Sequence, residues 1–135
     1  LGGNIHLFTK EWITNTVSHY VIDKNLTENQ PAKKLETFDT GFVVTDASFF
    51  DNKLYVVGYT KKASVYLMIF EKDETGNLFF NKPLKKFSLG RAFSIGQIEG
   101  ITATEKGVYI SGERFNIKIK KVPQSLYFIS YKDLE

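Results

Sequence analysis

The segment "TDASFFDNKLYVVGYTKKASVYLMIFEKD" (residues 45–73) holds two apolar runs, 53–60 and 64–72, rich in Val, Ile, Tyr and Phe. Each run has strand length and is bounded by polar or turn-forming residues, the pattern of β-strands. No stretch of eleven or more residues in the chain keeps a 3.6-residue period, so no amphipathic helix competes with this reading. The chain reads as all-β.

Outward from this segment, the same criteria place strands at 4–10, 17–23, 33–39, 41–49, 53–60, 64–72, 83–89, 97–104, 108–115 and 125–132. The intervening "KNLTENQP" (24–31), "DETGN" (73–77), "LGRAFSIG" (89–96) and "EKG" (105–107) are rich in Gly, Asn, Pro and charge, as connections are.

The strands repeat. A shift of 49 residues takes Ile5 to Leu54, Leu35 to Leu84, Phe38 to Phe87 and Gly41 to Gly90. A shift of 53 to 54 takes Asp46 to Glu99, Leu54 to Val108, Tyr55 to Tyr109 and Gly58 to Gly112. About 50 residues and four antiparallel strands per unit describe a β-propeller blade. The expected organisation is a partial blade over 1–40, a complete four-stranded blade over 41–89 and a partial blade over 90–135. That is about two and a half blades of a six-bladed ring. The first unit lacks its inner strand and the last its outer one. The open edges at "NIHLFTK" (4–10, with Ile5, Leu7 and Phe8) and "SLYFISY" (125–131) predict self-association, because apolar edges recruit other chains.

Composition narrows the function classes. With 42% hydrophobic and 24% charged residues, 135 residues suit one globular domain with a real core. No cysteine is present, which excludes disulfides, thiolate zinc sites and a cysteine nucleophile. No apolar run approaches the ~20 residues of a membrane span. The chain starts at Leu1 without Met or a basic–apolar leader, so no cleavable signal is visible; a removed leader or an excised fragment would look the same. The net charge is +3, and 16 of the 18 basic residues are Lys, scattered in pairs such as Lys61–Lys62 and Lys85–Lys86. Such pairs suit solvated strand faces better than a nucleic-acid stripe, which draws on Arg. No nucleic-acid partner is expected.

Over residues 41–132 the chain resembles a family of exported bacterial propeller proteins, with wider kin among SdiA-regulated and phytase-like or esterase-like propellers. The likeness rests on "TDASFFDNKLYVVGYTKK", on "EGI" (99–101) in an inner strand, and on "SGER" (111–114) in the next. The first unit departs from it, since "TKEW" (9–12) has no glycine where Gly58 and Gly112 stand. The resemblance implies an extracellular or periplasmic location and an activity that fold alone does not fix.

Three carboxylates, Asp46, Glu99 and Glu113, are expected near one channel mouth, with Asp46 and Glu99 at matching positions on successive inner strands. Several hard oxygen ligands would suit Ca²⁺. The alternative is that Asp46 and Glu99 cap backbone amides while Glu113 pairs with Arg114 or a lysine. Hydrolysis finds thin support. The only histidines are His6, a blade-face position aligned with Tyr55 and Tyr109, and His19, expected on a strand surface, and no G-x-S-x-G elbow occurs. Trp12, Tyr59 and Phe115 follow the second strand of successive units. They either line a sugar-stacking rim or fill gaps between blades. The expected ligand-binding set is therefore Asp46, Glu99, Glu113, Arg114, Trp12 and Tyr59. The loop 116–124, with Lys118, Lys120 and Lys121, reads as a solvated insertion loop or, as the alternative, a basic contact for an acidic partner or surface. The expected function is a binding or scaffold module without chemistry of its own; the alternative is a Ca²⁺-dependent hydrolase of the phytase-like or lactonase-like type.

Overall fold

The computed structural model describes residues 3–135; Leu1 and Gly2, the start of the expected partial blade 1–40, lie outside the described residues. Sheet one comprises β1 (Asn4–Phe8), β2 (Thr16–Asp23) and β3 (Lys33–Asp39) in that order. Sheet two runs β4 (Val43–Phe50), β5 (Lys53–Tyr59), β6 (Ser64–Glu71) and β7 (Pro83–Arg91). Sheet three contains β8 (Gln97–Thr104), β9 (Gly107–Glu113) and β12 (Ser125–Ile129), ordered β12-β9-β8. Every ladder is antiparallel.

The core explains why the middle strands are apolar at nearly every position. Period-2 alternation sends Leu54, Val56, Met68 and Phe70 to one face, where they pack with Phe38, Phe79 and Phe80 against sheet one. Tyr55, Val57, Leu67 and Ile69 face the other way, against Ile98, Val108 and Ile110 of sheet three. A strand buried on both faces needs a continuous apolar run. Sheets one and three are covered on one face only. Hence β1 buries Phe8 while Ile5 and Leu7 are 46% and 41% exposed, and β12 leaves Leu126 and Phe128 70% and 51% exposed. The apolar surface expected at "NIHLFTK" is thus two residues on an outer face, with Phe8 already covered by Phe79 and Phe80.

Three expectations change. "NIKIKKVP", read as loop, forms a hairpin of β10 (Phe115–Ile117) and β11 (Lys120–Val122). "LGRAFSIG" ends β7 late and holds a single helical turn, α1 (Ala92–Ile95). The last strand stops at Ile129, because Ser130 Oγ donates to Asp133 Oδ2 and accepts from Asp133 N, capping a 3₁₀ turn over Tyr131–Leu134. No helix among the described residues is long and apolar enough to cross a membrane.

The inner strands carry matching bulges. Register shifts between Val44 and Asp46 on β4 and between Ile98 and Gly100 on β8. Val44 faces Gly58 and Ile98 faces Gly112, so the two hairpins superpose at an offset of 54 throughout. The expected equivalence of Asp46 and Glu99 is one residue out. Thr45 corresponds to Glu99, and Asp46 to Gly100. A one-residue slip in a strand turns a side chain to the other face, so the two acids point to different surroundings.

Candidate functional site

The acids part company. Asp46 Oδ1 accepts from Ala47 N at 2.8 Å, and Oδ2 accepts from Ile101 N of sheet three at 2.8 Å. Alongside it, Thr45 Oγ1 donates to Ile98 O and Ser48 Oγ accepts from Ala103 N. Side chains of β4 therefore satisfy the free backbone edge of β8, and Asp46 is one of those stitches. Glu113 closes β9 opposite Gln97, exposed like its neighbour Arg114. Among the described residues no three His, Cys, Asp or Glu side chains gather to hold a metal ion, so the expected Ca²⁺ trio is not brought together.

Glu99 lies in different company. Its Oε1 accepts from Tyr59 OH at 2.8 Å and Gln97 Nε2 at 2.9 Å, and its Oε2 from Lys10 Nζ at 3.1 Å. Burial opposes ionisation of Glu99, but the donors Tyr59, Lys10 and Gln97 outweigh it and hold the carboxyl below its ordinary range. Burial first, and then the bond to Glu99, push the Tyr59 phenol up to about 12, so it stays a donor. Lys10 Nζ also lies 5.6 Å from the Trp12 ring and 5.9 Å from that of Tyr59, within cation–π range.

Of this cluster, Trp12, Tyr59 and Gln97 line a cleft of about 260 Å³, and Glu99 and Lys10 hold them through the contacts above. Trp12 comes from the β1–β2 loop, Tyr59 from the end of β5, Phe93 from α1, Gln97 from β8 and Phe115 from β10. Trp12 and Tyr59 meet edge to face at 5.7 Å; Phe93 and Phe115 lie 5.6 Å apart on the opposite wall. Trp12, Tyr59 and Phe115 do share one rim; the structure adds Gln97 and Phe93 to it and sets Lys10 against its Trp12 and Tyr59 rings. Sequence reasoning missed these three because nothing local links Lys10 to a partner 89 residues away.

Glu11 fixes the loop that presents Lys10 and Trp12. Its Oε1 accepts from Thr9 and Ser18 hydroxyls at 2.6 and 2.9 Å, and its Oε2 from Thr14 and Thr16 at 3.0 and 2.5 Å. The alternating hydroxyls of "TKEWITNTVS" (9–18) were the available signal. The hydrogen bond from Thr16 first, then that from Thr9, lower the Glu11 pKa from 4.5 to about 2. A depressed folded-state pKa stabilises the fold fully above the unfolded value and is lost as pH falls through the folded one. Emission of Trp12, the sole tryptophan, should therefore change on acid titration between pH 4.5 and about 2, and Glu11→Gln should flatten that transition. A wild-type emission profile flat over that range would show that Glu11 does not hold the loop.

The histidines form a separate constellation. His19, expected on a strand surface, is fully buried, because the β6–β7 connection with Phe79 and Phe80 packs over it. His19 Nδ1 is hydrogen-bonded to Glu36 Oε1 at 2.8 Å, and His6 Nδ1 lies 2.8 Å from His19 Nε2. Glu36 also accepts from the backbone N–H groups of Phe79 and Phe80 at 2.9 and 3.0 Å. The network joins sheet one to sheet two.

No family model, curated protein or solved structure matches the chain. The fold and site define an all-β chain of antiparallel sheets with an aromatic cleft where sheets two and three meet the β1–β2 loop.

Proposed function

We propose that the chain is a ligand-binding portion of a six-bladed β-propeller, contributing about two and a half blades, in an exported bacterial protein. Sheets of three, four and three strands support the blade frame, as does the shared 54-residue register of β4–β5 and β8–β9. The exposed Ile5, Leu7, Leu126 and Phe128 are the apolar positions that neighbouring blades, or a second copy, would cover.

Binding is carried by one observation: a cleft with aromatic walls that presents Gln97 and the Tyr59 hydroxyl, both held from behind by Glu99. Flat aromatic faces beside fixed hydroxyl-bonding groups suit a sugar ring. Trp12 is 45% exposed although it contacts Tyr59, so part of its ring is open to solvent. The cleft holds no histidine and no nucleophile–base pair, which favours binding over catalysis.

The test is direct, because Trp12 is the sole reporter of intrinsic tryptophan fluorescence. Titration with a panel of neutral and acidic oligosaccharides should shift its emission saturably. Trp12→Ala should weaken binding of the same sugar, measured by calorimetry, by about tenfold or more, the ~1.4 kcal/mol or more expected of a central aromatic anchor. Undiminished affinity in that variant would move the ligand elsewhere.

A further inference from the structure

The cleft's surroundings indicate which sugar. Lys61 lines it, and Lys10 caps its Trp12–Tyr59 wall. Both arginines of the chain flank the opposite wall. The Arg91 guanidinium lies 5.4 Å from the Phe93 ring and donates to Lys62 O at 2.9 Å, using one of its five donors. Arg114 directly precedes Phe115. The β10–β11 hairpin, which packs on α1, adds the lysines at 118, 120 and 121. The acids nearby are Glu99, neutralised by Lys10, together with Glu11 and Glu113. Seven of the chain's 18 basic residues and three of its 15 acidic ones thus belong to or adjoin this cleft, and the rest of the molecule is slightly net acidic.

We infer that the ligand is an acidic polysaccharide carrying uronate residues. This rests on the reading of the cleft as a ligand site and adds the charge of the ligand. A pyranose face stacks on Trp12, ring hydroxyls meet Tyr59 and Gln97, and the carboxylate takes the guanidinium fork of Arg91, which matches a planar anion in two bonds. A short aromatic cleft with one guanidinium at its margin suits a sugar with a single planar anion, whereas a strand-tracking groove is positive along its length.

The experiment uses the whole chain and four probes in calorimetry: trigalacturonate, its methyl ester, neutral galactotriose and an oligo-dT. Trigalacturonate should bind at least about tenfold tighter than its ester or galactotriose, the scale of one charge-assisted contact, and should weaken as salt rises. Arg91→Gln, at an exposed position, should remove most of that preference and leave the neutral affinity in place; Lys61→Gln should reduce it further. Equal binding of the charged and neutral sugars would overturn the inference while leaving the cleft a sugar site. Binding of none of the sugars would overturn both. Tighter binding of oligo-dT than of trigalacturonate would overturn it in favour of nucleic acid. A preference for trigalacturonate that survives both substitutions would also overturn it, because the charge would be read elsewhere.

Discussion

Gly58→Ala is expected to destabilise the protein by at least about 3 kcal/mol, the upper part of the overpacking range. A Cβ at this position would stand 1.8 Å from Val43 O and 2.8 Å from Val43 C, both backbone atoms of the bulged inner strand. No rotamer relieves a clash made by Cβ itself, so β4 would have to lift from β5. That would disturb the Thr45, Asp46 and Ser48 stitches to sheet three. At this chain length the loss corresponds to roughly 10 °C or more in melting temperature. Gly90→Ala is the comparison. Its added Cβ meets nothing within 4 Å, so it bears only the strain of φ +113°. Equal melting temperatures for the two variants would show that close approach is not what Gly58 provides. Thr9 occupies the corresponding place in the first unit without penalty, because among the described residues β1 is an edge strand with no neighbour to crowd it.

Glu36→Ala should cost about 2–4 kcal/mol, because it removes the hydrogen-bond partner of three groups at ~1–3 kcal/mol each, with overlap. The substitution strips a partner from fully buried His19 and from two backbone N–H groups, Phe79 and Phe80, at once. Each orphaned group carries its own desolvation cost, and the terms overlap because they share one carboxylate. Glu36→Gln keeps one acceptor oxygen and should lose clearly less. Chemical denaturation resolves the pair. A loss below about 1 kcal/mol for the alanine variant would mean that the sheet-one to sheet-two junction rests on the aromatic cluster of Phe8, Phe38, Phe70 and Phe80 alone.

The ten strands read from the sequence all appear, and the reason is local. Strands buried on one face alternate, and strands buried on both are apolar throughout; both patterns are written in consecutive residues. The rim aromatics Trp12, Tyr59 and Phe115 were also legible, since each lies at or just past the end of the second strand of its unit. The acidic trio failed for a physical reason. A bulge adds a residue without changing the apolar pattern around it, so alignment by residue type matched Asp46 with Glu99, whereas the shared register of the two hairpins matches Thr45 with Glu99. Charge on a residue does not say which donors it will meet.

By itself, then, the sequence determined the strand content, the near-50-residue repeat and which strands lie in the middle, because periodicity and burial act over a few neighbouring residues. Only the tertiary structure decided that Asp46 spends its oxygens on the backbone of β8, that Glu99 joins Lys10 and Tyr59, and that His19 is sealed beneath Phe79. Those contacts span 17 to 89 residues of sequence, and bulge position and sheet packing, which no local pattern encodes, set their geometry.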